Sequence, residues 1–89
     1  MFALLYWKSL HVESTKHALA ELEELNWDEE DLGQILHEGM ESRQRKEGVH
    51  EFELKKGGRI RKIVIAESFQ YSTKEMIWAV IHVGEYSLR

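Results

Sequence analysis

Five histidines, His11, His17, His37, His50 and His82, and a run of bases between Arg43 and Lys62 are the residues of this chain best suited to chemistry. An imidazole gives or takes a proton near neutral pH. Metal-free cleavage of RNA needs one such group to remove the 2′-hydroxyl proton, a second to protonate the leaving oxygen, and cations to hold the charge gathering on phosphorus. All of these residue types are present. A histidine on a strand beside aromatics, as His82 is beside Trp78, also fits a packed and hydrogen-bonded position at the core edge, and the same holds for His50.

The bases are Arg43, Arg45, Lys46, Lys55, Lys56, Arg59, Arg61 and Lys62. They fall on three consecutive expected strands and their turns, so antiparallel pairing gathers them in one region. Arginine forks match phosphate oxygens, and Phe52, Phe69 and Tyr71 are available to stack on unpaired bases. The alternative is a solubilised sheet face with a blunted edge, partly paired with Glu51 and Glu53.

No metal site is expected. The stretch His37-Glu38-Gly39-Met40-Glu41 imitates a zinc-protease motif, but Gly39 ends the helix between ligands that must lie one turn apart. With no cysteine in the chain, thiolate ligands, disulfides and a cysteine nucleophile are excluded. Neither a glycine-rich phosphate loop nor a serine triad is legible, and no cofactor is expected.

The elements that must position these groups are read from periodicity. Phe2 to Val12 is apolar on both faces and reads as a covered strand. Ser14 or Thr15 caps a first helix, with Ala18, Leu19, Leu22 and Leu25 on its buried stripe and Glu21, Glu23 and Glu24 on the other side. Asp28 caps a second helix, with Asp31 three positions on, and Trp27 and Leu32 are placed to close a hydrophobic staple. Leu32, Ile35 and Leu36 form its stripe, and Gly39 is expected to end it in the left-handed conformation. Beyond Gly39 the period becomes two: Met40 to Arg45, Val49 to Leu54, Arg59 to Phe69 and Met76 to Val83 read as strands, with Lys55-Lys56-Gly57-Gly58 the clearest hairpin turn.

Length and charge bound the whole. The chain has 89 residues, 43% hydrophobic and 31% charged, which suits one domain spanning residues 1–89 with a single core. Its net charge is −4, but Met1 to Ser42 holds ten acids against two bases, while Arg43 to Arg89 holds ten bases against six acids. The second half is the one suited to an anion. The apolar opening lacks a basic leader and no run reaches the roughly 20 residues of a membrane span, so a cytoplasmic protein without membrane association is expected.

His17-Ala18, the helix through Glu24, then Trp27-Asp28-Glu29-Glu30-Asp31 and a helix ending at Gly39 resemble an uncharacterised prokaryotic family, domain of unknown function four-two-five-eight. That family is grouped with the RelE, HigB, barnase and EndoU ribonucleases, toxins of toxin-antitoxin pairs among them. The resemblance covers roughly His17 to His82, and it implies an α+β fold with helices ahead of an antiparallel sheet. His17, Ala18 and Glu24 match the family's histidine helix, whereas Glu21 and Leu25 stand where it carries arginines.

The expected fold is therefore α+β, with two short N-terminal helices packed on an antiparallel sheet of three to five strands. The expected function is a toxin-like, metal-independent RNA-binding or RNA-cleaving domain. His17, Arg61 and His82 would be catalytic, and Arg43, Arg45, Arg59, Arg61 and Lys62 would hold phosphate. The alternative is a non-catalytic module that keeps the fold and binds a protein partner or a second copy of itself.

Overall fold

The first helix begins where Thr15, in extended conformation, turns its hydroxyl back to accept the Ala18 N–H, so of the two expected caps Thr15 serves. The computed structural model describes residues 5–87, and the backbone alone over 43–46. Two strands precede the helices: β1 (Tyr6–Trp7) and β2 (Leu10–Ser14) form a hairpin. Helices α1 (Lys16–Leu25) and α2 (Glu29–Glu38) follow, then β3 (Met40–Lys46), β4 (Val49–Lys56), β5 (Arg59–Gln70) and β6 (Glu75–Ser87).

The fold is α+β, but the expected sheet is corrected on two points. It has six strands in the order β1-β2-β6-β5-β4-β3, and it is mixed, because β2 runs parallel to β6. The helices are thus inserted after the first hairpin and do not lead the chain. The single strand expected over Phe2 to Val12 is broken by a turn at Lys8 and Ser9, which take φ of 47° and 68°. Positive φ at both central positions suits a tight hairpin, but neither residue is one of the usual carriers of that conformation. Residues 2–4 of that expected strand lie outside the described residues.

Helix α2 follows the sequence signals closely. Asp28 accepts from the Asp31 N–H at 3.1 Å while Asp31 accepts from the Asp28 N–H at 2.9 Å, a reciprocal capping box. Trp27 and Leu32 on either side of it are both buried, as are Ile35 and Leu36. Its end departs from expectation. Gly39 is extended, at φ −76° and ψ 176°, so left-handed freedom is not what requires glycine. A Cβ there would stand 2.5 Å from the Ile35 carbonyl oxygen and 2.7 Å from that of Glu53, so close approach of two backbones excludes any side chain. The left-handed residue belongs to α1 instead, where Asn26 at φ 59° closes the helix.

Both helices cover one face of the sheet. Ala18, Leu22, Leu32, Ile35 and Leu36 pack on Val12, Phe52, Ile63, Ile65, Trp78, Val80 and Val83. Leu19, expected on the α1 stripe, is 41% exposed, so the contact face of α1 is narrower than its apolar pattern. The apolar centre of β5 behaves as its pattern implies: Ile63, Val64 and Ile65 are all buried, on both faces.

Trp7 closes the open end of this core. Its ring lies 4.9 Å from that of Trp78, 5.1 Å from Phe52 and 5.5 Å from His50. In a flat sheet β1 and β4 would stand about 19 Å apart, four strand spacings. Ring contact between them requires the sheet to curl around its helical face.

Candidate acid-base site

Strand β2 accompanies β6 only from Val12 to Ser14, opposite Trp78 to Val80. Thr15 then donates both its N–H and its hydroxyl to the Val80 carbonyl, at 3.1 and 3.0 Å, and the chain turns into α1. From there β6 has an outer edge with no neighbouring strand. A carboxylate from α1 takes the vacant place: Glu21 accepts the Val83 N–H at 2.9 Å.

A histidine beside a bulge in β6 reaches the same carboxylate. His82 faces Val64, but the next β5 residue, Ile65, faces Val80, so Ile81 is the extra residue. His82 Nδ1 lies 3.1 and 2.9 Å from the two oxygens of Glu21. One helical turn before Glu21, His17 places Nε2 3.5 Å from Oε2. His17, Glu21 and His82 thus form one cluster, their ligand atoms all within 4.8 Å of one another. The His17 side chain is 72% exposed and that of His82 42%, while Glu21 between them is 22% exposed.

The structure therefore brings together two of the three residues expected to be catalytic. Glu21, assigned from periodicity to the solvated side of α1, is the group that joins them. Helical spacing places it four positions from His17, but nothing local signals that the edge of a distant strand will need an acceptor.

Arg61 lies in a different network. Its guanidinium donates to Asp31 at 2.8 Å and to Glu85 at 3.2 Å, and sits 4.9 Å above the Trp27 ring. Burial acts to raise the Asp31 pKa, but the Asp28 N–H and the Arg61 hydrogen bond and charge outweigh it and hold the carboxyl below its ordinary value. Arg61 ties α2 to β5 and β6.

The other expected phosphate ligands are taken up similarly. Arg59 lies 3.5 Å from Glu85, and Lys62 lies 3.9 Å from the buried Glu51. Arg43 and Arg45 are on β3, an edge strand, with side chains outside the described set. Of the expected stacking rings, Phe52 is in the core. Phe69 and Tyr71 are 43% and 83% exposed and meet edge to face at the β5–β6 turn. His50 occupies the packed position expected for a strand histidine, against Trp7 and Trp78 and hydrogen-bonded to Glu41.

Fold and site define a small α+β domain whose mixed sheet is completed at one edge by a helix carboxylate flanked by two imidazoles. No family model, curated protein or solved structure matches the chain. Among the described residues, no helix is long and apolar enough to cross a membrane.

Proposed function

We propose that this chain is a toxin-like, metal-independent RNA-cleaving domain in which His17 and His82 carry out proton transfer. The observation that carries the reading is the convergence of these two imidazoles, one from the first turn of α1 and one from the last strand, on the Glu21 carboxylate. One imidazole takes the proton of a ribose 2′-hydroxyl as that oxygen bonds to phosphorus. The other protonates the departing 5′-oxygen, leaving a 2′,3′-cyclic phosphate. Glu21, held by the Val83 N–H, orients His82. Arg43 and Arg45, on β3 three strands from β6, are assigned to other phosphates of the bound RNA. Arg59, Arg61 and Lys62 would have to leave Glu85, Asp31 and Glu51 to serve it.

A specific observation favours a second reading, an interaction module that keeps the fold without the activity: those three bases already have acidic partners within the chain. Labelled single-stranded RNA, incubated in EDTA with wild type, His17→Ala and His82→Ala, separates the two. Cyclic-phosphate products from wild type, reduced on the order of 100-fold or more in either variant, support the ribonuclease. Intact RNA, together with binding that does not weaken as salt rises, supports the module.

A further inference from the structure

The three groups that meet at the β6 edge have the composition of a metal site: two imidazole nitrogens and a carboxylate, on three positions fixed by a helix and a strand. We propose that His17 Nε2, the Glu21 carboxylate and His82 Nδ1 bind one Zn²⁺ ion. Four features carry the assignment.

The spacing fits. Ligands bound to zinc at 2.0–2.2 Å in tetrahedral geometry stand about 3.3 Å apart. Glu21 Oε2 already lies 3.5 Å from His17 Nε2 and 2.9 Å from His82 Nδ1. The two imidazole nitrogens lie within 4.8 Å of each other, so closing on a common ion requires them to draw together by at most about 1.5 Å.

The carboxylate is oriented from behind. Oε1 of Glu21 accepts the Val83 N–H at 2.9 Å, which leaves Oε2 directed between the histidines. A hydrogen bond of this kind to a ligating group typically changes metal affinity 10- to 100-fold.

The ligands sit on elements that cannot easily separate. His17 and Glu21 share one face of α1 at the four-residue spacing, and α1 is pinned to β6 through Thr15 and Val80 as well as through Glu21. His82 pairs with Val64 on the face away from the helices and meets Glu21 at the β6 edge, where the Glu21 carboxylate also holds the Val83 N–H.

The donor set selects the ion. Imidazole suits zinc and its neighbours, whereas Mg²⁺ and Ca²⁺ require oxygen ligands. Three protein ligands with exposed histidines leave a fourth position open to water or an anion, the arrangement of catalytic zinc sites.

The zinc assignment does not rest on the ribonuclease reading, and the two oppose each other, because an imidazole lone pair on the metal is not available to a proton. The test uses the full chain, stripped with EDTA and exchanged into chelator-free buffer, titrated with Zn²⁺ against a chromogenic chelator. The expected result is one ion per chain, bound at least tenfold more weakly by His17→Ala and by His82→Ala and unchanged in His37→Ala, with no competition from millimolar Mg²⁺. Should His82→Ala fail to fold by circular dichroism, Glu21→Gln, which keeps an oxygen for the Val83 N–H, replaces it. Equal affinity in wild type and His17→Ala, whose imidazole is mostly exposed, overturns the site. Cleavage measured in parallel in EDTA judges the ribonuclease separately: RNA left intact by a zinc-binding wild type sinks that reading and not this one.

Discussion

Asp31 is shared between two jobs: one oxygen closes the α2 capping box on the Asp28 N–H, and the other receives the Arg61 guanidinium from β5 at 2.8 Å. A single carboxylate therefore fixes both where α2 starts and where it lies on the sheet. Removing Arg61 leaves Asp31 without its guanidinium, leaves Glu85 with Arg59 at 3.5 Å, and strips cover from Trp27. Arg61→Ala is expected to cost about 2 kcal/mol, below the range for wholly buried pairs because the guanidinium keeps some solvent contact. Urea unfolding checks this, and an unchanged midpoint would return Arg61 to the pool of bases free for a ligand.

The same pair predicts a dependence on pH. The Asp31 pKa is lower in the folded chain than its ordinary value of 3.8. A group depressed on folding contributes fully above its unfolded pKa and loses that contribution as pH falls through its folded pKa. The stability advantage of wild type over Asp31→Asn should accordingly be constant near neutrality and shrink below the ordinary carboxylate range. A gap that stays the same into strong acid would mean that charge at Asp31 does not matter to folding.

Gly39 is required by crowding between the end of α2 and β4. The Cβ of Gly39→Ala would stand against the Ile35 and Glu53 carbonyl oxygens, both backbone atoms that cannot turn aside. An overpacking cost of roughly 1–3 kcal/mol is expected, measured as a lowered Tm. If left-handed freedom were the reason for glycine, Gly39→Asn would be tolerated; crowding predicts that it is at least as damaging.

Asn26 gives the opposite contrast. Its φ of 59° is left-handed, so Asn26→Gly should be neutral or slightly stabilising, while Asn26→Ala should cost about 1 kcal/mol. Equal unfolding midpoints for the two variants would contradict the assigned C-cap.

Glu21 can be separated into its charge and its hydrogen bond. Glu21→Gln keeps an acceptor for the Val83 N–H, whereas Glu21→Leu leaves that buried-edge donor unsatisfied. The leucine variant should be less stable than the glutamine variant by about 1–2 kcal/mol, read from chemical denaturation. Equal stability would show that water replaces the carboxylate at this edge.

The sequence alone determined what depends on neighbours in the chain. Asp28 and Asp31 placed the start of α2, Gly57 and Gly58 placed the β4–β5 turn, and the period of two from Val49 to Leu54 placed β4. Each is a local pattern whose meaning needs no distant partner. Tertiary structure decided the rest. Lys8 and Ser9 are not usual carriers of positive φ, so the first hairpin was hidden, and with it the parallel pairing of β2 with β6. Glu21 read as one more acid on a solvated helix because its value lies in an edge of β6 that exists only once β2 has turned away. His17 and His82 were legible as residue types but not as neighbours. Their meeting depends on that edge and on the packing of α1 against β6, which arise only when the ends of the chain come together.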